Sequence, residues 1–566
     1  MPSAADRARG GRPDEDAGAA TTHGRTSGGG AAVSWDVVVI GSGFGGAMAA
    51  HALVHAGRRV LMVERGGWVQ RGPGSWAPAG VGLATAHHSL ESPYDVVDDA
   101  GWRRVGSWQC VGGQSVFYGG ASFRFRERDF EHSDEIVGDS GAAWPYRYAD
   151  LEPFYARAER MLGVAGEAGA DPTEPPRSAP FPHRPTPLSP PSQTVADAAR
   201  RLGLTPFPIP LAISYAPGPV GRACVRCGTC DGYACAAEAK NDLATGVIPA
   251  LVRRGMALRT NVVCVRLVRA GGRVVAAEYV DRVTGERGRL VARCFVLAAG
   301  ALATPHLLLA SGLDAASPAR GAVGRYLTRH RNALVLGVFV RPPNPGRVFD
   351  KQVAIHDFYG GAAGGPPGPL GGIQQMTPSA GLVRAYLPPG VRGPAARVVS
   401  RASGLLVIAE DQPRRENGVT LDASAADPFG LPRLRVRHAY SPRDEAAAAV
   451  LVARAREVLR EAGARFAVVQ RITTFSHALG TVRMGPDPQA APLDADGRYR
   501  GLDNLYVTDG SALPRSAGVN PSLTIAANAL RTGARIAAAF PAPAAPAAPA
   551  RRPFPMHSIP STSGGT

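Results

Sequence analysis

Four cysteines within twelve residues are the first side chains in this sequence that could do chemistry. The segment CVRCGTCDGYAC contains Cys224, Cys227, Cys230 and Cys235, and the chain of 566 residues has only seven cysteines. The spacing C-x2-C-x2-C-x4-C differs from the iron–sulfur run C-x2-C-x2-C-x3-C-P by one added residue and the missing proline. Thiolates at this spacing can hold an iron–sulfur cluster or zinc, and they can also form disulfides or a metal-free turn. The residues alone leave these alternatives open.

A glycine-rich turn offers a second chemistry, the binding of a nucleotide. The apolar run Trp35–Ile40 is typical of a buried parallel strand, and a G-x-G-x-x-G motif follows it at Gly41, Gly43 and Gly46. A helix is predicted over 47–56, and a second strand over 59–64 ends on Glu64. The glycines permit a tight turn, approach of a pyrophosphate and close helix packing, while the acid can bind ribose hydroxyls. The pattern predicts a dinucleotide-binding βαβ unit.

A further strand end favours FAD over NAD as the nucleotide. Both cofactors use the βαβ unit, so the glycine motif does not distinguish them. Another strand is predicted over Cys294–Ala298, and it is followed by Ala299, Gly300 and a Thr-Pro helix start. A second strand end of this kind could hold part of a flavin nucleotide.

Four separated segments of the chain resemble the glucose–methanol–choline (GMC) oxidoreductases, FAD-dependent alcohol oxidases and dehydrogenases. The first is the βαβ unit, and the second is VGGQSVFYGGASFRFRERDF over Val111–Phe130. The third is GALATPHLLLASGL, which departs from the family signature only where Asp314 replaces a glycine. The fourth joins FSHALGTVRMG to LYVTDGSALPRSAGVNPSLTIAANALRTGARIA and is closest to the cholesterol-oxidase version. Together they span the chain from about Trp35 to Phe540.

The resemblance implies a catalytic pair. His477 lies where the family has its catalytic histidine, a base suited to removing a hydroxyl proton near neutral pH while a hydride leaves for flavin N5. Asn520 falls on the second active-site position, where its amide can donate to the substrate oxygen. Two plainer alternatives are a core histidine for His477 and a helix N-cap before Pro521 for Asn520.

The resemblance also implies a set of cofactor contacts. The helix N-terminus at Asn520–Ser522 would face the flavin pyrimidine and stabilise its negative charge after reduction. The position where some members attach FAD through a histidine is Phe117, so we expect non-covalent FAD. The complete set of cofactor-binding candidates is Gly41, Ser42, Gly43, Phe44, Gly45, Gly46, Glu64, Arg65, Gly112, Gly113, Ser115, Val263, Ala299, Gly300, Asp509, Gly510, Asn520, Pro521 and Ser522.

The substrate is less constrained than the reaction. Bacterial sugar and polyol dehydrogenases of the family have a cysteine-rich segment ending in Ala-Lys, as CAAEAK does here, and this favours a sugar, polyol or glycoside over a sterol. It also implies that the four cysteines could relay electrons through an iron–sulfur cluster, with zinc and a metal-free segment as alternatives. A hydroxynitrile-type lyase with structural flavin is an alternative of another class, and a metal-stapled binding module is a third. We interpret Glu410 as a strand-end charge and His330 as structural.

The predicted fold is α/β, with a Rossmann-like FAD-binding domain of the GMC and p-hydroxybenzoate-hydroxylase type and a second α+β substrate-binding domain built on a β-sheet. The expected division is a disordered tail over 1–33, FAD-binding segments over 34–135, 221–328 and 471–540, a substrate-domain segment with a Pro-rich excursion over 136–220, the substrate-binding domain over 329–470, and a disordered tail over 541–566.

Composition and charge exclude several other classes. The formal net charge is +17, but only Lys240 and Lys351 are lysines, and the arginines are scattered rather than grouped, so we expect no nucleic-acid partner. The first 33 residues have no apolar signal region, and no window of about 18 apolar residues exists. We therefore expect a cytoplasmic protein with reduced thiols, a small alcohol as substrate, and oxygen or another acceptor for the electrons. The oligomeric state is not indicated.

Overall fold

The computed structural model describes residues 35–217, 223–386, 390, 393 and 398–541. The predicted disordered tails therefore lie outside the described residues, apart from Pro541. The helices are α1 (Phe44–His55), α2 (Asp134–Val137), α3 (Tyr148–Met161), α4 (Pro190–Arg201), α5 (Val247–Arg253), α6 (Ala303–Ala310), α7 (Ala380–Tyr386), α8 (Pro442–Glu461) and α9 (Ser522–Ala539). The strands are β1 (Trp35–Ile40), β2 (Val60–Val63), β3 (His88–Asp98), β4 (Gly101–Trp108), β5 (Pro206–Pro208), β6 (Ala257–Arg259), β7 (Val262–Ala270), β8 (Arg273–Asp281), β9 (Arg287–Leu290), β10 (Ala292–Leu297), β11 (Arg331–Val338), β12 (Val353–Ile355), β13 (Gly371–Gln375), β14 (Ala402–Ala409), β15 (Gly418–Ala426), β16 (Pro432–Arg437), β17 (Phe466–Arg471) and β18 (Leu505–Val507).

A five-stranded parallel sheet carries the predicted nucleotide-binding unit. Its strand order is β18-β10-β1-β2-β6, and every neighbouring pair is parallel. Val37, Val38 and Val39 of the central strand are fully buried, as expected for a strand covered on both faces. The helix α1 packs against α9 beside this sheet. Because the strands are parallel, the segments that follow β1, β10 and β18 lie at the same edge.

A six-stranded antiparallel sheet provides the second framework, in the order β17-β11-β14-β13-β12-β5. The helices α4 and α8 cover one face, where Leu405 and Val407 pack with Leu451 and Val458. Helix α8 begins with a capping box, in which the Ser441 side chain accepts from the backbone N–H of the third helical residue and that aspartate reciprocates. The opposite face of the sheet is therefore free to line a site.

Two smaller sheets complete the described strands. The order β15-β16-β3-β4 joins strands that are more than 300 residues apart in sequence, with β16 and β3 parallel, and the sheet β7-β8-β9 is antiparallel. The predicted division places β3 and β16 in different segments, and chain order gives no signal for their pairing. None of the described helices is long and apolar enough to cross a membrane.

Candidate active site

The turn after β1 has the shape that a nucleotide phosphate requires. Gly41 has φ +103°, and a Cβ on Gly46 would lie 2.0 Å from the Gly41 carbonyl oxygen, so neither position accommodates a side chain. By contrast, a Cβ on Gly43 would have no heavy atom within 4 Å. The open space beside the second glycine is where the motif predicts that a pyrophosphate approaches the backbone.

Glu64, Ser42 and Gly112 form a hydrogen-bonded chain across the top of this turn. The Ser42 backbone N–H and hydroxyl donate to Glu64 Oε2 over 3.1 and 2.6 Å, and the Gly112 N–H donates to Ser42 Oγ over 2.9 Å. The Gly66 N–H donates to Glu64 Oε1, and burial raises the pKa of this carboxyl. Two predicted cofactor segments that are 70 residues apart are thus in direct contact.

The neighbouring segment Val111–Phe130, called the flavin segment below, is folded tightly against the glycine turn. A Cβ on Gly113 would lie 3.3 Å from Gly43 Cα, and the Ser115 hydroxyl donates to the Gly112 carbonyl over 2.6 Å. Phe44 and Gly45 begin the helix that follows the turn.

Asp509 joins the ends of β10 and β18. Its Oδ2 accepts from the Gly300 N–H (2.9 Å) and from the Thr304 hydroxyl, while Oδ1 accepts from the Ser511 N–H and hydroxyl. A Cβ on Gly45 would lie 2.8 Å from the Asp509 backbone nitrogen, so this loop sits directly against the start of α1. Burial raises the pKa of Asp509. Ala299 and Gly510 adjoin these contacts, and Ala299 is exposed at the strand end.

Val263 is the predicted cofactor residue whose side chain lies apart from this cradle. It packs with Val280, Phe429 and Leu431 in a separate apolar cluster, although the adjacent Val262 N–H donates to the Glu64 carbonyl. Any contribution of this strand to a nucleotide would come from its backbone.

The shape of the turn fits FAD, and so does a buried group beside it that lacks hydrogen-bond partners. Nε and Nη2 of Arg65 are buried and have no hydrogen-bond partner among the described residues. A buried guanidinium without partners is costly, and an anionic or hydrogen-bonding cofactor group would satisfy it. The glycine turn, Glu64 and Arg65 would hold FAD, which when bound supplies a hydride acceptor at flavin N5.

His477 and Asn520 face each other between the two large sheets. Asn520 Nδ2 lies 3.4 Å from His477 Nε2, and its Oδ1 accepts from Gln374 Nε2 over 2.7 Å. Gln374 belongs to β13 and is fully buried. Because Gln374 occupies the amide oxygen, the amide N–H of Asn520 is directed at the histidine and at any oxygen that enters beside it.

The side chain of Asn520 does not act as a helix cap. Helix α9 begins at Ser522, Pro521 takes the cap position, and the helix has no side-chain capping hydrogen bond. The Ser522 hydroxyl instead donates to the Ala121 carbonyl over 3.1 Å, which ties the start of α9 to the flavin segment.

The ring of His477 has a partner on its other nitrogen that the sequence interpretation missed. His330 Nδ1 lies 3.0 Å from His477 Nδ1, so His330 belongs to the site rather than only to the scaffold. The surrounding protein lowers the pKa of His477 well below 6.5, through burial first and then through His330 and Lys351, with Asp411 opposing. A low pKa keeps the ring neutral and able to accept a proton.

Glu410 directly follows β14, in agreement with its interpretation as a strand-end charge. It is fully buried, forms a two-point ion pair with Arg515 at 3.1 and 3.2 Å, and accepts from the Ala517 N–H. It thus anchors the loop that leads to Asn520. The sequence showed only its place after an apolar run, and its partner is 105 residues away.

The four thiols of the cysteine segment are not gathered into one group in this structure. Across residues 35–217 and 223–541, with the short gaps given above, no group of three or more His, Cys, Asp or Glu side chains could hold a metal ion. Cys224, Cys227, Cys230 and Cys235 are free thiols, so they form no disulfide either. Of the alternatives that the spacing leaves open, iron–sulfur or zinc ligation is not assembled among the residues that the structure describes.

A buried lysine holds the cysteine segment in place. Lys240 Nζ donates to the carbonyls of Tyr118, Cys230 and Tyr233 over 2.6, 3.1 and 2.7 Å. Asp231 of the same segment pairs with Lys351 at 2.5 Å. The cysteine segment thus packs between the flavin segment and the six-stranded sheet.

Comparison with known proteins agrees with this geometry. Residues 102–332 and 413–529 match two models described as GMC oxidoreductase, and residues 36–115 match an FAD-binding domain. The chain is 35% identical to 6'''-hydroxyparomomycin C oxidase of Streptomyces lividus, over 89% of this chain and 91% of that one. The chain belongs to the GMC oxidoreductase family. It is also 33% identical to paromamine 6'-oxidase of Streptomyces fradiae, with the same coverage of both chains.

A solved structure supports the fold of this GMC oxidoreductase. Pyridoxine 4-oxidase from Mesorbium loti superposes with a TM-score of 0.64 and 21% identity, over 89% of this chain and 99% of that chain. The α/β fold with an FAD-binding domain and a second sheet is confirmed. As a GMC oxidoreductase with an FAD-binding domain, the protein is an FAD-dependent oxidoreductase that acts on CH–OH groups.

Proposed function

We propose that the enzyme oxidises a hydroxyl group of a sugar, polyol or glycoside, with His477 as the base and Asn520 as the donor that positions the reacting oxygen. The observation that carries this proposal is the approach of Asn520 Nδ2 to His477 Nε2 at 3.4 Å, with Gln374 fixing the amide. A hydroxyl group that lies beside the pair, within reach of both nitrogens, would accept from Asn520 and donate its proton to His477 Nε2. The developing alkoxide would then be stabilised by the amide N–H.

A polar substrate is supported by buried groups that lack partners on the site-facing side of the six-stranded sheet. Gln374 Oε1 and Asn332 Oδ1 are buried without a hydrogen-bond partner among the described residues. Asn332 and Gly372 both pair with Ile408, and a Cβ on Gly372 would lie 3.5 Å from the Gly518 carbonyl near Asn520. Sugar hydroxyls would satisfy these atoms, whereas a sterol would leave them unpaired at a cost of about 1–3 kcal/mol each.

The relatives favour the same substrate class. Two oxidases with 35% and 33% identity are named for a hydroxyparomomycin and for paromamine, respectively. We infer that a glycoside hydroxyl is oxidised here and that oxygen accepts the electrons, with a sterol substrate and an organic acceptor as the runners-up.

We also propose that FAD is held without a covalent bond. Phe117, the position that would have to carry a histidine, is stacked on Trp108 with ring centroids 4.8 Å apart and has no group that could attach to the flavin. Denaturing the purified protein should release all of its yellow colour into the supernatant. Colour that stays on the polypeptide would overturn this part of the proposal.

A substrate screen tests the proposed function. Anaerobic mixing with aminoglycosides, neutral sugars, polyols, sterols and simple alcohols should bleach the flavin with the glycosides or sugars, and air should then produce hydrogen peroxide. Bleaching by sterols alone would contradict the substrate class. Turnover of a cyanohydrin with the flavin still yellow would support a lyase and contradict the reaction.

The cytoplasmic location, the domain limits and the roles of the individual cofactor-binding residues stay predictions. They rest on the sequence and on the resemblance, and cell fractionation together with the variants below would test them.

A further inference from the structure

We propose that His330 fixes the tautomer of His477, holding its ring proton on Nδ1 so that Nε2 is free to accept the substrate proton. This inference rests on the proposed role of His477 as base. His330 would then be a positioning residue, since it acts through His477 and is itself only 1% exposed.

The hydrogen-bond partners of the two rings determine where the protons lie. His330 Nε2 is 2.9 Å from the Ser516 carbonyl oxygen, which can only accept, so this nitrogen carries the proton. In neutral His330 the Nδ1 atom is therefore an acceptor. His477 Nδ1, 3.0 Å away, must be the donor, because two unprotonated ring nitrogens at this distance would repel each other.

The other side of His477 agrees with this assignment. Once Nδ1 carries the proton, Nε2 of neutral His477 has a free lone pair. The group that faces Nε2 is the amide N–H of Asn520, a donor whose orientation Gln374 sets independently. Two separate chains of hydrogen bonds, one from Ser516 and one from Gln374, thus lead to the same tautomer.

His330 is held in an unusual backbone conformation by partners on every side. Its φ of +61° is uncommon for a residue with a side chain. The Asp411 carboxylate accepts from its N–H over 3.0 Å, and the Tyr440 hydroxyl donates to its carbonyl over 2.8 Å. A strained residue with so many constraints is typical of a functional position.

Charges around the pair favour neutral rings. Burial lowers the pKa of His330, with Asp411 and Glu410 opposing. Lys351 and Asp411 act on His477 in opposite directions. Since both rings are neutral, the tautomer rather than the charge decides whether His477 can act as a base.

Two variants of His330 distinguish the effect of its hydrogen-bond acceptor from the effect of its side-chain size. His330→Asn tolerates positive φ and can place an amide oxygen near the position of Nδ1, whereas His330→Leu has a similar size and no acceptor. We expect His330→Leu to slow saturating anaerobic flavin reduction by about 10–100-fold with substrate affinity nearly unchanged, and His330→Asn to recover most of the rate. Rates are compared per bound FAD, so that a loss of stability does not mimic the effect.

His438→Leu is the matched control. His438 is also 1% exposed and lies 3.4 Å from the same Asp411, but it does not contact His477. Its loss should leave the reduction rate within about twofold. Equal rates for His330→Leu and wild type, or equal losses for the Leu and Asn variants, would overturn the inference.

A spectroscopic measurement tests the tautomer without turnover. In ¹⁵N-histidine-labelled protein, with His477 identified by its absence in His477→Gln, the proton of the neutral ring should lie on Nδ1 in the wild type and shift towards Nε2 in His330→Leu. A wild-type ring protonated on Nε2 would refute the inference. If no alcohol reduces the flavin but the Nδ1 tautomer is found, the proposed function fails while the assignment to His330 stands.

Discussion

His477 meets a histidine on one ring nitrogen and an amide on the other, so each nitrogen has a separate role. Burial lowers the pKa of the proposed base and so keeps it neutral, and its proton-accepting Nε2 faces the amide N–H of Asn520.

The lowered pKa of His477 predicts a pH profile. A depressed pKa means that the neutral, proton-accepting form persists below pH 6.5, and that it is lost only as the pH falls through the lowered value. The value of kcat/KM should therefore stay constant from pH 8 down to about pH 6.5. Stopped-flow reduction across this range checks it, and a rate that already falls between pH 8 and 7 would contradict the neutral base.

Gln374 should matter through the orientation of Asn520. Gln374→Leu removes the donor to Asn520 Oδ1 and lets the amide turn, so flavin reduction should slow about 10-fold or more. Gln375→Leu is the control, because Gln375 is equally buried, points to the opposite face of β13 and has no partner for either amide atom among the described residues. It should keep the rate and raise the melting temperature. Similar rates for both variants would show that Gln374 does not position the amide.

Some residues of the site could be predicted from the sequence, and others could not. His477 and Asn520 follow from motifs that resemble a known family, and the structure places them in contact. Gln374 and His330 are 146 and 147 residues from the partners they touch, and a pattern along the chain carries no signal for such contacts.

At the scale of elements, two substitutions in the glycine turn should have different effects, one on cofactor binding and the other on folding. Gly43→Ala places a methyl group in open space, so the apoprotein should keep its melting temperature while its affinity for FAD falls, since the methyl group occupies the predicted path of the pyrophosphate. Gly46→Ala would clash with the Gly41 carbonyl and should destabilise the fold itself. Fluorescence titration of FAD and thermal melts distinguish the two, and unchanged FAD affinity in Gly43→Ala would argue against this binding mode.

Elements with a strong periodic pattern were predictable, and short irregular ones were not. The strand Trp35–Ile40 is predicted to the residue. The strand β13 is not predictable in this way, because its sequence, GGIQQ, has neither alternation nor β-branched enrichment. Gly371 is needed there because a Cβ would lie 2.0 Å from the Ile408 carbonyl oxygen of β14.

At the scale of the whole molecule, the cysteine segment connects the flavin side to the substrate side. Lys240 ties it to Tyr118, and Asp231 ties it to Lys351. Lys240 also donates to the carbonyls of Cys230 and Tyr233, and it thereby holds the segment together from within.

Variants of this segment should affect stability and not chemistry. Replacing both Cys227 and Cys230 by serine should leave anaerobic flavin reduction within about twofold, because neither thiol contacts the catalytic pair. Lys240→Met leaves three buried carbonyls without their donor and should lower the free energy of unfolding by about 2–5 kcal/mol. Denaturant melts and metal analysis check both, and stoichiometric iron or a large loss of reduction in the serine variant would restore an electron-relay role.

The most direct test of the catalytic assignment is the first turnover of the flavin. Wild-type enzyme and His477→Gln, both loaded with FAD, are mixed anaerobically with a glycoside that carries hydrogen or deuterium at the oxidised carbon. We predict a primary isotope effect on flavin bleaching in the wild type and a rate about 10²–10⁴-fold lower in His477→Gln, with FAD binding unchanged. Equal bleaching rates in the two proteins would contradict the role of His477 as the base.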